Sequence, residues 1–174
     1  MIHRIHSRSG LRLLAALTVL AAFTGCTEAK QNPMAPTRPA TFIGDGLFLI
    51  PLLTNTTQTL LSQVIGSAGG VLEIAEGSSI AFPAGALPAN TTITAVRDGD
   101  DLKVKLGPEG IVFPDSALPT LTFDYGGAAP DSAVIVYLDD NGWLSEVLET
   151  RIDSVAHVAQ AKIRHFSTYA LATD

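Results

Sequence analysis

Residues 133–148 read AVIVYLDDNGWLSEVL, and this stretch decides the fold class. Two apolar runs, Ala133–Leu138 and Trp143–Leu148, flank Asp139-Asp140-Asn141-Gly142. Asn-Gly tolerates positive φ at both central positions of a tight turn, so the stretch reads as a β-hairpin with that turn at its tip. The same grammar continues in both directions. Thr59–Ile65, Val71–Ala75, Ser79–Phe82, Thr91–Val96, Leu102–Leu106, Ile111–Phe113, Leu118–Tyr125, His157–Ile163 and Phe166–Ala172 are short runs separated by Gly, Pro, Asn or Asp. None sustains a helical period, so each reads as a strand. Many short strands without helices predict an all-β domain, an antiparallel β-sandwich over residues 42–174. Phe82, Phe113 and Phe123 are expected as core aromatics, and Trp143 as a packing residue of the hairpin. Pro83 ends its strand because it has no N–H to donate, and Gly85 then permits a tight turn.

The chain has 174 residues, of which 47% are hydrophobic and 16% charged. That is enough for one domain with a proper core, and it excludes disorder throughout. The first 25 residues hold Arg4, Arg8 and Arg12 and no acid, so the remainder carries eight basic and seventeen acidic residues, net −9. Such an acidic surface is a poor partner for phosphates, and no nucleic acid is expected to bind. A single cysteine, Cys26, excludes an internal disulfide and a cysteine-based zinc cluster.

The N-terminus has the anatomy of a secretory signal. Arg4, Arg8 and Arg12 form a positive region, and Leu13–Phe23 (LLAALTVLAAF) an apolar one. Eleven residues, at a rise of about 1.5 Å each, cover only about half of a ~30 Å hydrocarbon core, so residues 1–25 read as a removable signal peptide. Phe23-Thr24-Gly25-Cys26 follows directly. It resembles a bacterial lipobox, with Phe23 where an aliphatic residue is usual. The resemblance implies cleavage before Cys26 and acyl chains on its thiol and amine. Several buried chains, at about 0.8 kcal/mol per methylene, make a stable membrane anchor. Thr27 stands where an Asp would retain a lipoprotein at the inner membrane, so an outer-membrane destination is expected.

Residues 26–41 comprise the lipid-bearing Cys26 and TEAKQNPMAPTRPAT, a proline-containing tether without apolar periodicity. Leu47-Phe48-Leu49-Ile50-Pro51-Leu52-Leu53 comes next and reads as an edge strand, with Pro51 where no ladder bond is needed. A second reading makes it a sticky segment that touches the membrane or pairs onto a partner protein of the envelope.

Several pieces together resemble the ZU-five domain, a β-sandwich of ankyrins, netrin receptors, death-domain scaffolds and bacterial surface proteins. They are Gly69-Gly70-Val71, then IAFPAGAL over Ile80–Leu87, LGPEGIVF over Leu106–Phe113, Trp143 after its hairpin turn, and His165-Phe166-Ser167-Thr168-Tyr169-Ala170. The match runs from about Gly69 to the C-terminus. It implies a sandwich that serves as a binding or structural module. Some eukaryotic members cut themselves at His-Phe-Ser, which implies an alternative. Ser167 Oγ would attack the Phe166 carbonyl with His165 as general base, and water would open the resulting ester. Eight residues, Ser167–Asp174, would then be split off.

Other chemistry is thinner. His157 reads as a surface strand histidine. Asp98, Asp100 and Asp101, like Asp139-Asp140-Asn141, lack the spacing of a calcium loop and read as solvated turns. No Gly-x-Ser-x-Gly elbow or phosphate-cradling loop occurs. The expectation is a lipid-anchored, non-catalytic module of the cell envelope with no cofactor and no metal.

Overall fold

A computed structural model describes residues 40–50, 58–75, 77–97, 101–127 and 132–174. They fall within the unit Arg38–Asp174, one of two into which the chain divides. Cys26, nearly all of the tether, Pro51-Leu52-Leu53, Asp98 and Asp100 lie outside the described residues. Thirteen strands are present: β1 (Phe42–Gly44), β2 (Leu47–Leu49), β3 (Thr59–Ile65), β4 (Gly70–Ala75), β5 (Ser78–Phe82), β6 (Thr91–Arg97), β7 (Lys103–Gly107), β8 (Thr120–Asp124), β9 (Val134–Leu138), β10 (Leu144–Val147), β11 (Thr150–Asp153), β12 (Val158–Lys162) and β13 (Thr168–Thr173). The only helical piece among the described residues is a short 3-10 turn, Asp115–Ala117.

All pairings are antiparallel, and the strands form two sheets. One runs β1-β2-β13-β7-β6-β3, with β9 on the other side of β13 and β10 beyond it; the second runs β11-β12-β8-β5-β4. The chain is an all-β antiparallel sandwich. Period-two alternation explains which faces meet. Ile80 and Phe82 of β5, Leu121 and Phe123 of β8, Ile93 and Ala95 of β6, and Val104 and Leu106 of β7 all point into one core. Each large apolar side chain buried there contributes about 1.5–3 kcal/mol. Among the described residues Ser78 is the one buried polar residue, and its Oγ accepts the Asp124 N–H at 2.9 Å.

β9 and β13 depart from alternation for a reason. Val134-Ile135-Val136-Tyr137-Leu138 and Tyr169-Ala170-Leu171-Ala172 are apolar on both faces, as strands covered on both sides are. Ile135, Tyr169 and Leu171 join the main core, while Val136, Leu138, Ala170 and Ala172 form a second cluster with Ile43 and Leu49. The β1–β2 hairpin therefore caps the outer face of the larger sheet. Leu47-Phe48-Leu49 is not a sheet margin, since β2 has β13 on one side and β1 on the other.

Boundaries differ from expectation where tertiary bonds compete. Ile111–Phe113 is not a strand; it makes one bridge, Val112 to His165. The last strand begins at Thr168, because residues 163–167 cross between the sheets. His157 sits at φ 58 in the turn before β12, not in the strand. The hairpin tip has positive φ only at Gly142. There Gly142 N–H donates to Asp139 O and Asp139 N–H to Trp143 O, each at 2.9 Å, and the register shifts by a bulge in β10. Trp143 is left 54% exposed.

Candidate functional site

The His165-Phe166-Ser167 segment leaves β12 in one sheet and enters β13 in the other. Its backbone is held along its whole length. Phe113 N–H donates to Arg164 O at 2.8 Å, Phe166 N–H to Ile111 O at 3.3 Å, and Leu106 N–H to Ser167 O at 2.9 Å. The Phe166 ring is buried between Phe82 and Phe113, with centroids at 6.0 and 5.0 Å and edge-to-face angles of 75° and 86°. Phe82 and Phe113 meet each other at 6.1 Å. Phe82, Phe113 and Phe123 are core residues, as read from the sequence.

His165 is placed by aromatic neighbours. Its ring lies 5.0 Å from Tyr137 and 6.2 Å from Tyr169. The Tyr169 hydroxyl donates to the His165 carbonyl at 2.7 Å, tying the crossing to the start of β13. This resembles the corner by which a strand tyrosine braces the preceding turn in other sandwiches. Burial pushes the Tyr169 phenol well above its ordinary value of 10.0, with Glu146 and Tyr137 adding to the effect. The imidazole Nδ1 lies 3.4 Å from the Phe166 carbonyl oxygen. No hydrogen bond among the described residues joins His165 to Ser167 Oγ. The fold thus brings His165 to the carbonyl of the sequence-predicted cleavage point, but not to the hydroxyl it would activate.

Beside this segment lies a groove of about 720 Å³, within the size range of small-ligand sites. It opens where the chain leaves β10 for β11 and so switches sheets. Glu146 of β10 and Glu149 of the crossover line it, with Arg151, Lys162 and Arg164 from β11, β12 and the segment that follows; His165 and Tyr169 also line it. Lys162 Nζ donates to Thr120 Oγ1 at 2.7 Å, and Arg164 pairs with Asp115. Three of the six Lys and Arg side chains of residues 42–174 converge here, in a domain with sixteen acids. Sequence reading missed the groove, because Arg151 and Lys162 come together only through the pairing of β11 with β12.

The remaining candidates are turns. Asp139 Oδ1 accepts the N–H groups of Asn141 and Trp143, and Asp153 Oδ1 those of Val155 and Ala156. These bonds occupy the carboxylates with their own loops. His157 meets Tyr125 edge-on at 6.0 Å. Among the described residues no cluster of His, Cys, Asp or Glu is arranged to hold a metal ion. Comparison with known proteins finds no family model that matches the chain, and no curated protein matches it.

Proposed function

We propose that this chain is a lipid-anchored protein of the bacterial cell envelope, placed at the outer membrane, whose β-sandwich is a non-catalytic binding or structural module. The observation that carries the reading is the position of Cys26. The sole cysteine of the chain stands directly after a short apolar run and a small residue. A ZU-five-like sandwich tethered by some fifteen residues suits recognition close to a membrane, and the groove at the β10–β11 crossover is the recess it would offer. The packing of Phe166 and the backbone bonds around it support a structural use of His165-Phe166-Ser167.

The test is detergent-phase partitioning of the full-length protein and its Cys26→Ser variant, expressed in a bacterium supplied with labelled palmitate. The parent is expected in the detergent phase carrying label, and the variant in the aqueous phase without it. Equal partitioning of the two refutes the proposal.

One observation favours a second reading, self-cleavage between Phe166 and Ser167: the 3.4 Å approach of His165 Nδ1 to the Phe166 carbonyl oxygen. Intact-mass measurement separates the two. A whole chain supports the non-catalytic module, whereas loss of Ser167–Asp174, abolished in Ser167→Ala, supports processing.

A further inference from the structure

β3 forms a margin of the larger sheet. All seven of its residues pair with β6 in unbroken register, from Thr59 opposite Arg97 to Ile65 opposite Thr91. Among the described residues no strand pairs with the other side of β3 between Leu60 and Val64. An antiparallel strand turns every second N–H and C=O away from its neighbour, so Leu60–Val64 present ladder groups that no described strand takes up. Sheet margins are ordinarily guarded by lysine, proline, a bulge or brevity. The sequence TLLSQVI has no charge and no proline, and its register has no bulge. Leu60 and Val64, on one face of β3, are 67% and 60% exposed. β3 and β6 carry a single charge between them, Arg97, although residues 42–174 hold sixteen acidic and six basic side chains. Two copies meeting here escape most of the mutual repulsion that the rest of the surface imposes.

The occupant is set by the register that β3 makes with itself. Side chains alternate, so only same-parity registers keep the two faces continuous. Centred on Ser62, Leu60 of one copy stands opposite Val64 of the other, twice, with the two Ser62 residues on the axis. Centred on Leu61 or on Gln63, one of the two exposed apolar residues faces a serine instead. We infer that two copies of this chain pair β3 to β3, antiparallel, about a two-fold axis at Ser62. The pairing is self-complementary and closed, since it consumes the margin that would otherwise extend. It joins two eight-stranded sheets into one continuous sheet.

The test uses residues 26–174 carrying Cys26→Ser, so that it does not depend on the lipid anchor and introduced cysteines stand alone. Sedimentation equilibrium is expected to return twice the chain mass. Directly opposed residues of such a pair have Cα atoms about 4.5–5.5 Å apart, inside the range a disulfide spans. Ser62→Cys treated with oxidised glutathione is therefore expected to give a dimer that reductant dissolves, and Ser154→Cys, in a distant exposed turn, none. Leu60→Lys with Val64→Lys is expected to raise the dissociation constant at least about tenfold, by placing like charges near one another across the pair. Its circular dichroism should be unchanged, since both side chains are exposed. A monomer at all concentrations overturns the inference, as does a dimer that Ser62→Cys fails to capture or that the paired lysines leave intact.

Discussion

Replacing Phe166 with alanine tests the role given to the His165-Phe166-Ser167 segment. The ring is 4% exposed and meets Phe82 and Phe113 edge-on at 6.0 and 5.0 Å. Truncating a buried phenylalanine costs about 3–5 kcal/mol, from lost transfer energy and the cavity left behind. The cavity here cannot close readily, because the backbone on both sides is bonded to Ile111, Phe113 and Leu106. The expected loss is therefore about 4 kcal/mol, near the middle of that range. Domains of this size are stable by about 5–15 kcal/mol, so the variant should fold but marginally. Urea unfolding followed by circular dichroism provides the measurement. With a slope of about 2 kcal/mol per molar, the midpoint should fall by about 2 M. Phe166→Leu keeps most of the buried volume and forfeits mainly the aromatic geometry, so its loss should be about 1–1.5 kcal/mol. An alanine variant within about 1 kcal/mol of the parent would refute the assignment of Phe166 to the core.

Two glycines with the same backbone sign should respond differently to alanine. A Cβ on Gly69, at φ +80, would lie 2.2 Å from the Phe82 carbonyl oxygen, whereas one on Gly85, at φ +81, meets nothing within 4 Å. Thermal unfolding should show Gly69→Ala destabilised by at least about 3 kcal/mol and Gly85→Ala by about 1 kcal/mol. Stability should also fall at both extremes of pH. The N–H of Trp143, then that of Asn141, holds the Asp139 carboxyl below its ordinary 3.8, and those of Ala156 and Val155 do so for Asp153. Their stabilisation is present above the unfolded value and is lost as pH falls through the lower folded values, so Asp139→Asn with Asp153→Asn should flatten the acid limb of a denaturation series. For Tyr169 the sign reverses. Its raised folded value means stability is full below about pH 10 and is lost as pH rises beyond it. Absorbance titration should show Tyr169 resisting ionisation until the fold opens, and Tyr169→Phe should remove that lag.

Strand identity was readable wherever side chains alternate or turn residues punctuate. β3, β5, β6, β8 and the β9–β10 hairpin fall within a residue or two of where the sequence puts them. Misreadings arose where a distant partner decides. Ile111–Phe113 carries strand-like residues yet has only His165 to bridge. His157 has the sequence context of a strand but lies in a left-handed turn. Leu47–Leu49 has the pattern of a sheet margin because nothing local reveals that β1 covers its far side. At the candidate site, the importance of His165 and Phe166 was visible as a motif. Their geometry was not, for the imidazole depends on Tyr137 and Tyr169 from β9 and β13, and the Phe166 ring on Phe82 and Phe113.

Local sequence by itself determined the all-β class, the turns, the aromatic core positions and the place of Cys26, because each rests on spacing and residue type within a few positions. Tertiary structure alone decided that the apolar strands β9 and β13 need a second cover from β1–β2. It alone decided that Arg151, Lys162 and Arg164 share a groove with Glu146 and Glu149, and that among the described residues no second strand lies beside Leu60–Val64 of β3. Those outcomes depend on which strands become neighbours, and strand pairing joins residues far apart in the chain through backbone bonds that carry no residue-specific code.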